Sequence, residues 1–226
     1  MIEVVTSRNA PLYKDALEQM FHLRHRIFVE KMGWEELRKA DRLEKDQFDN
    51  DEAIYLLLTE DDGTVIGSHR LLHTAGPHLF SDVFPKLCAV KGVQRGPKIL
   101  ELTRTCVDED RLDKAGTEKA RRRLMTGLFE FCYRAGYEKF TVLTSTEILF
   151  RYLLIGVEIR PLGLLVEMDG TKQAPVIVTT SQQALDDVRA ATGLPDPQVN
   201  YIGAPEGDPL VLSPPRMPAV ALEAAE

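Results

Sequence analysis

The run A-I-Y-L-L-L-T from Ala53 to Thr59 constrains the fold most. It is continuously apolar, not alternating, which marks a central strand covered on both faces. Asp61-Asp62-Gly63 follows as a hairpin turn, and Thr64 to Leu72 returns as the partner strand. On a regular pleat Ile66, Ser68, Arg70 and Leu72 share one face, so a guanidinium sits on a surface that reads as inward.

The same conflict recurs on both sides of this hairpin. Ile2 to Thr6 reads as a first strand, and Asn9 with Pro11 as a helix start. Leu17, Met20, Phe21, Arg24 and Phe28 then fall at helical spacing on one face, which places Arg24 between apolar neighbours. A charge there either snorkels to the rim or needs a partner. Gly33 ends that helix, and Trp34 to Asp51 reads as a long, mobile, charged loop. Thr74 to Lys98 reads as loop with one helical turn. Ile99 to Val107 is strand-like yet carries Glu101 and Arg104. Strict alternation separates Glu101 and Thr103 from Arg104; a bulge would bring them together.

Further on, Thr117 reads as the cap of a helix reaching Ala135, with Gly136 beyond it. Ala120, Leu124, Leu128, Phe131 and Cys132 form its buried stripe. Lys139 to Thr144 is a strand and Thr146 to Ile155 a helix stopped by Gly156. Leu164 to Met168 and Pro175 to Thr179 read as strands around an Asp169-Gly170 turn, and Ser181 caps a last helix ending at Gly193. This order implies an α/β (α+β) fold: a three-layer sandwich with a twisted mixed sheet between helices. With 226 residues and 44% hydrophobic content the chain supports one domain, placed at 1–194. Residues 195–226 read as a Pro/Ala-rich tail, weakly ordered or extended.

A net charge of −7 speaks against a nucleic-acid surface. Cys88, Cys106 and Cys132 are odd in number and scattered, so they read as reduced thiols in or near the core. No signal peptide or membrane span is legible, which gives a cytoplasmic expectation. Glu44, Asp46 and Asp49 match no calcium-loop template, and His69, His73 and His78 have no ligand spacing, so no metal is expected. The acids instead match the surplus of Arg24, Arg70 and Arg104. Such a cluster is either a structural ion-pair network or a site for a zwitterionic or cationic ligand, and spacing leaves both open.

The pattern L-R-x-x-x-F-x-x-K-x-x-W, followed by E-x-D-x-F-D, resembles the signature of the acyl-homoserine-lactone synthases, the autoinducer synthases of quorum sensing. Here it comprises Arg24, Phe28, Lys31, Trp34, Glu44, Asp46, Phe48 and Asp49. The resemblance continues through Arg70, through Phe84 in F-P, and through Glu101 to Arg104 in E-L-T-R. It covers the first half closely and the remainder by element order. One departure is Glu36, two after the Trp, where the family pattern is apolar.

The resemblance implies a fold like that of the GCN5-related N-acetyltransferases, with a V-shaped cleft. It implies no permanently bound cofactor. S-adenosylmethionine is a substrate, its amine acylated from an acyl carrier protein or acyl-coenzyme A thioester, and lactone closure releases methylthioadenosine. Glu101, Arg104 and Asp46 are the candidate catalytic residues, with Glu101 as base. Arg24, Phe28, Trp34, Glu44, Asp46, Asp49, Arg70, Phe84 and Arg104 are candidates for holding S-adenosylmethionine.

Thr103, Thr144, Leu100, Leu102, Met125 and Leu149, with Leu128 and Leu153, are candidates for the acyl chain; Thr144 equally reads as a helix cap. Lys119, Arg121, Arg122, Arg123 and Arg151 are the candidate landing surface for an acidic carrier protein. The loop R-L-D-K-A-G-T matches the coenzyme A pyrophosphate loop poorly, which favours the carrier protein. The alternatives are a different GCN5-related N-acyltransferase using coenzyme A and another amine, and a non-catalytic binding protein with a structural cluster.

Overall fold

In the computed structural model, which describes residues 1–203 and Leu212, the chain opens with β1 (Ile2–Val5). Asn9 does not cap the first helix. Its side chain accepts from Thr6 N at 2.8 Å and donates to Val4 O at 2.9 Å, fixing a 3-10 turn over Ala10–Leu12. Helix α1 (Lys14–Arg24) starts only after that turn and continues as a π-helical segment, His25–Lys31. Gly33 closes it in the left-handed region, φ +77°.

The central hairpin forms as the sequence requires: β2 (Ile54–Thr59) and β3 (Val65–His73) pair antiparallel. The expected single face on β3 does not hold. A bulge at Ile66, between the pairs Leu58–Gly67 and Thr59–Val65, flips that residue to the opposite layer. Ile66 therefore packs with Leu124, while Leu72 packs with α1.

The segment 74–98 holds α2 (Leu79–Asp82) and a 3-10 turn, Pro85–Cys88. Then follow β4 (Ile99–Val107), α3 (Lys114–Arg134), β5 (Lys139–Ser145) and α4 (Thr146–Ile155). Asp113, not Thr117, caps α3, its carboxylate accepting from Gly116 N at 2.7 Å. A short β6 (Ile159–Pro161), β7 (Val166–Met168), β8 (Thr171–Thr179) and α5 (Gln182–Thr192) complete the domain. Segment 195–203 adds the edge strand β9 (Val199–Asn200), parallel to β1. Apart from Leu212, the rest of the proposed tail lies outside the described residues.

The strands form one mixed sheet in the order β6-β8-β5-β4-β3-β2-β1-β9, with β7 beside β8. Helices α3 and α5 cover one face, where Leu128, Phe129, Phe131 and Cys132 are fully buried. Burying each such large apolar side chain contributes about 1.5–3 kcal/mol. Helix α1 covers the other face through Met20, Phe21 and Phe28. β4 and β5 pair in parallel only from Ile99–Lys139 to Glu101–Thr141. Beyond that point they part, and the sheet opens into a cleft.

Candidate active site

The bulge considered for β4 is present. Ser68 pairs with Cys106 and Arg70 with Thr103, so His69 faces two residues, Arg104 and Thr105. Arg104 takes φ +49°, a conformation unusual for a non-glycine residue. The extra residue keeps Arg104 on the face of Glu101 and Thr103, while His69 turns to the α3 layer and meets Thr105 Oγ1 and Leu124 O.

Arg24, Arg70 and Arg104 meet Glu44, Asp46 and Asp49 in one charge-balanced network. Arg24 bonds Asp49 with both terminal nitrogens, at 2.8 and 2.9 Å, and Glu44 through Nε. Arg70 grips Asp46 at 2.6 and 3.0 Å and reaches Asp49 at 2.9 Å. Arg104 bonds Glu44 at 3.1 Å and Asp46 at 2.7 Å. Tyr55 donates to Asp49 at 2.9 Å. Arg24 does not snorkel: Arg24, Arg70, Glu44 and Asp49 have no exposed side-chain surface. Burial opposes ionisation of Asp49, but the Arg24 bonds and the charges of Arg24 and Arg70 outweigh it and hold its carboxyl well below the usual range.

A cavity of about 510 Å³ occupies the cleft. One wall is Phe28 and Trp34, stacked at 5.0 Å with their planes 14° apart. The Arg104 guanidinium lies 5.5 Å from the Phe28 centroid and 5.2 Å from that of Trp34, so it already occupies the cation position of that aromatic pair. Leu79, Phe80, Val83 and Phe84 form the roof, Glu101 to Thr105 the β4 side, Val142 and Leu143 the β5 side, and Met168, Asp169 and Gln173 the far end. Glu36, Asp46, Glu101 and Asp169 line it against Arg104, an excess of acids that favours a cationic ligand.

Glu101 stands at the fork of the two strands. Its Oε2 accepts from Leu79 N at 2.6 Å and its Oε1 from Phe80 N at 2.8 Å. Burial moves its carboxyl up to about 7, against the pull of those two N–H groups and of the Arg70 charge.

Of the proposed site residues, Phe28, Trp34, Asp46, Phe84, Glu101, Leu102, Thr103 and Arg104 reach the cavity. Arg24, Glu44, Asp49 and Arg70 stand behind it as its charged support. Leu100, Leu128, Met125 and Leu149 pack into the layer under α3 and α4 instead, because β4, α3 and α4 turn them away from the cleft. Leu153 is half exposed on α4. Thr144 is buried opposite Ala174, and the cap of α4 is Ser145, accepting from Ile148 N at 3.3 Å.

Arg121 pairs with Glu109, Arg122 with Glu118, and Arg151 with Glu118 and Glu147. Arg123 Nε reaches Gln198 at 3.3 Å. Lys119 instead borders a separate groove beside the β2–β3 turn. Sequence reasoning missed the two backbone donors on Glu101, since a loop read from Gly and Pro carries no sign of where its N–H groups point. It also missed Leu143 and Gln173; the Asp169-Gly170 turn was the available signal for the latter. Among the described residues no His, Cys, Asp and Glu group has metal-site geometry, and no helix is long and apolar enough to cross a membrane. All three cysteines are buried free thiols.

A mixed sheet forking between two strands, with a buried carboxyl at the fork facing a cleft, is a fold of the GCN5-related N-acetyltransferase type. In line with this, a putative N-acetyltransferase from Lactobacillus plantarum shares the fold, with a TM-score of 0.50 over 80% of this chain and 98% of that one at 18% identity. The match to the family described as autoinducer synthase spans residues 9–183, and the chain belongs to that family. The isovaleryl-homoserine lactone synthase of Bradyrhizobium diazoefficiens is 37% identical over 195 residues, 86% of this chain and 87% of that protein. The solved structure of a CoA-dependent acyl-homoserine lactone synthase, BjaI, with SAM and isopentyl-CoA has a TM-score of 0.81 at 36% identity, covering 90% of this chain and 93% of that one.

Proposed function

We propose that this chain acylates the amine of S-adenosylmethionine from a thioester and closes the product to a homoserine lactone. Glu101 is the observation that carries this reading: a buried carboxyl facing the cavity, basic enough at neutral pH to take a proton from an amine. Glu101 removes the ammonium proton, directly or through water. The freed nitrogen attacks the thioester carbonyl, the C–S bond breaks, and the thiol leaves with a proton. An oxygen of the methionine carboxylate then displaces the sulfonium sulfur from its γ-carbon, giving the lactone and neutral methylthioadenosine. No protein nucleophile is required. Asp46 offsets the ligand's positive charge, and Arg104 presents its guanidinium to the carboxylate.

We assign the donor as an acyl-coenzyme A rather than a carrier protein. The CoA-dependent relative supports this, and so does the pairing of Arg121, Arg122 and Arg151 with acids, which leaves little net positive charge for an acidic carrier to meet. The test is a product assay with S-adenosylmethionine and matched acyl-CoA and acyl-carrier-protein thioesters, following methylthioadenosine and lactone by mass spectrometry. Lactone from the CoA series at higher kcat/KM is the expected result. Lactone from the carrier series alone would overturn the donor assignment, and no methylthioadenosine with any donor would overturn the reaction.

A further inference from the structure

The roof of the cleft is tied down far from the residues it serves. Its near end supplies the Leu79 and Phe80 N–H groups that hold Glu101. Its far end crosses to the loop between β6 and β7. There Val90 N and Lys91 N both donate to Leu162 O at 3.0 Å, and Leu162 N donates to Pro175 O at 2.8 Å. Leu162 also packs into a small buried cluster with Phe80 and Cys88. Next to it, Gly163 lies against the roof's backbone: a Cβ built on Gly163 would come within 1.8 Å of Leu87 O. Backbone cannot rotate away as a side chain can, so any larger residue must push the roof out by roughly an ångström or more.

We propose that Gly163 is a positioning residue for Glu101, seating the roof so that its two N–H groups reach the carboxylate. This deepens the assignment of Glu101 as base and rests on it. The chain of contacts is short and rigid. Gly163 admits Leu87 O; the Phe84 O to Leu87 N bond and the Leu79 O to Phe84 N bond join that point to α2, whose first two N–H groups end on Glu101. Hydrogen bonds to the charged form of a carboxyl favour ionisation, so withdrawing them leaves burial opposed by the Arg70 charge and no longer by the roof.

The test compares wild type, G163A, L162A and E101Q as full-length protein. The Glu101 carboxyl is followed by carbon NMR across pH, with its signal assigned by its absence in E101Q. G163A is expected to move the Glu101 midpoint to higher pH by about half a unit or more. It is also expected to lower kcat at pH 7 about tenfold, while KM for S-adenosylmethionine stays within about twofold. L162A, which removes the apolar anchor and keeps the backbone, is expected to move both in the same direction by less, and it carries the test if G163A does not fold. A merely structural glycine would lower Tm and leave the midpoint in place, and that result overturns the proposal. E101Q separates the two claims. If E101Q keeps its kcat, Glu101 is not the base and the underlying assignment falls. If E101Q is inactive while G163A and L162A leave midpoint and kcat unchanged, the clamp alone falls.

Discussion

Arg104 Nη2 lies 2.7 Å from Asp46 Oδ2, and this pair forms the face that the ion network turns toward the cavity. Each keeps under a tenth of its side chain exposed, while the Arg24–Asp49 pair behind them is sealed. The network is therefore layered. Its hidden part holds the loop from Glu44 to Asp49 down, and its front part faces the cavity.

Changing Arg104 to Lys removes the planar fork and its stacking on Phe28 and Trp34 but keeps the charge. Losing one charge-assisted contact of this kind costs about 2 kcal/mol. Steady-state kinetics should show kcat/KM for S-adenosylmethionine down by about thirtyfold, with Tm lowered only slightly.

Asp49→Asn acts on the sealed layer and leaves Arg24 and Arg70 under-paired in the interior. Breaking a buried pair in this way costs about 3–5 kcal/mol, measurable by denaturant unfolding at pH 7. The pH dependence has a definite sign. The Asp49 carboxyl is held below its ordinary 3.8, so its stabilisation is present above that value and is lost as pH falls through the folded value. Wild type should lose stability on acidification in that range, and Asp49→Asn should lose less.

Glu101 gives the opposite sign. Its carboxyl sits at about 7 in the folded chain against an ordinary 4.5, so the folded state keeps the proton longer. Its contribution to stability is full below about 4.5 and is lost as pH rises toward 7. Melting curves across that window should slope downward for this group. Under the proposed reaction the base must be ionised, so activity runs the other way: kcat/KM should rise with an apparent value of about 7. Glu101→Gln should lower kcat by about 10²–10⁴-fold.

The acyl end can be assigned by two alanine variants. Leu143 lines the cavity from β5, whereas Leu100 is fully buried in the layer under α3. Leu143→Ala should shift donor preference toward longer or bulkier acyl groups in a thioester panel. Leu100→Ala should cost about 2–5 kcal/mol of stability and leave the preference unchanged.

Much of this site is legible in the sequence because buried charge is expensive and leaves a trace. Arg24 between Met20 and Phe28, and Arg70 in an apolar strand, stand out in the sequence as charges that need either the rim or a partner, and Glu44, Asp46 and Asp49 are the partners. The elements are legible in a similar way: the apolar run at β2 and the stripe of α3 can be read without long-range information. What stays hidden depends on geometry between distant segments. Alternation predicts one face for Ile66 and Leu72, and a single bulge separates them. The family resemblance puts Met125 and Leu149 among the acyl contacts, but the splay of β4 from β5 decides which apolar residues see the cleft. The acids and arginines can be matched by count, yet which of them stand in front and which behind is set by the path of the 44–49 loop.

The bulge at Arg104 makes chain length itself a functional variable. Glu101 and Cys106 are an odd number of residues apart, yet both point away from α3, which a regular strand does not permit. Two phases of the same strand are spliced at one residue. Without that splice the guanidinium would point at Leu124 and the packed layer under α3, and the cavity would lose its cation with no change in residue type. Relatives aligned through this strand are best compared by the direction each side chain takes, since a one-residue gap placed here exchanges an interior position for a cavity-facing one.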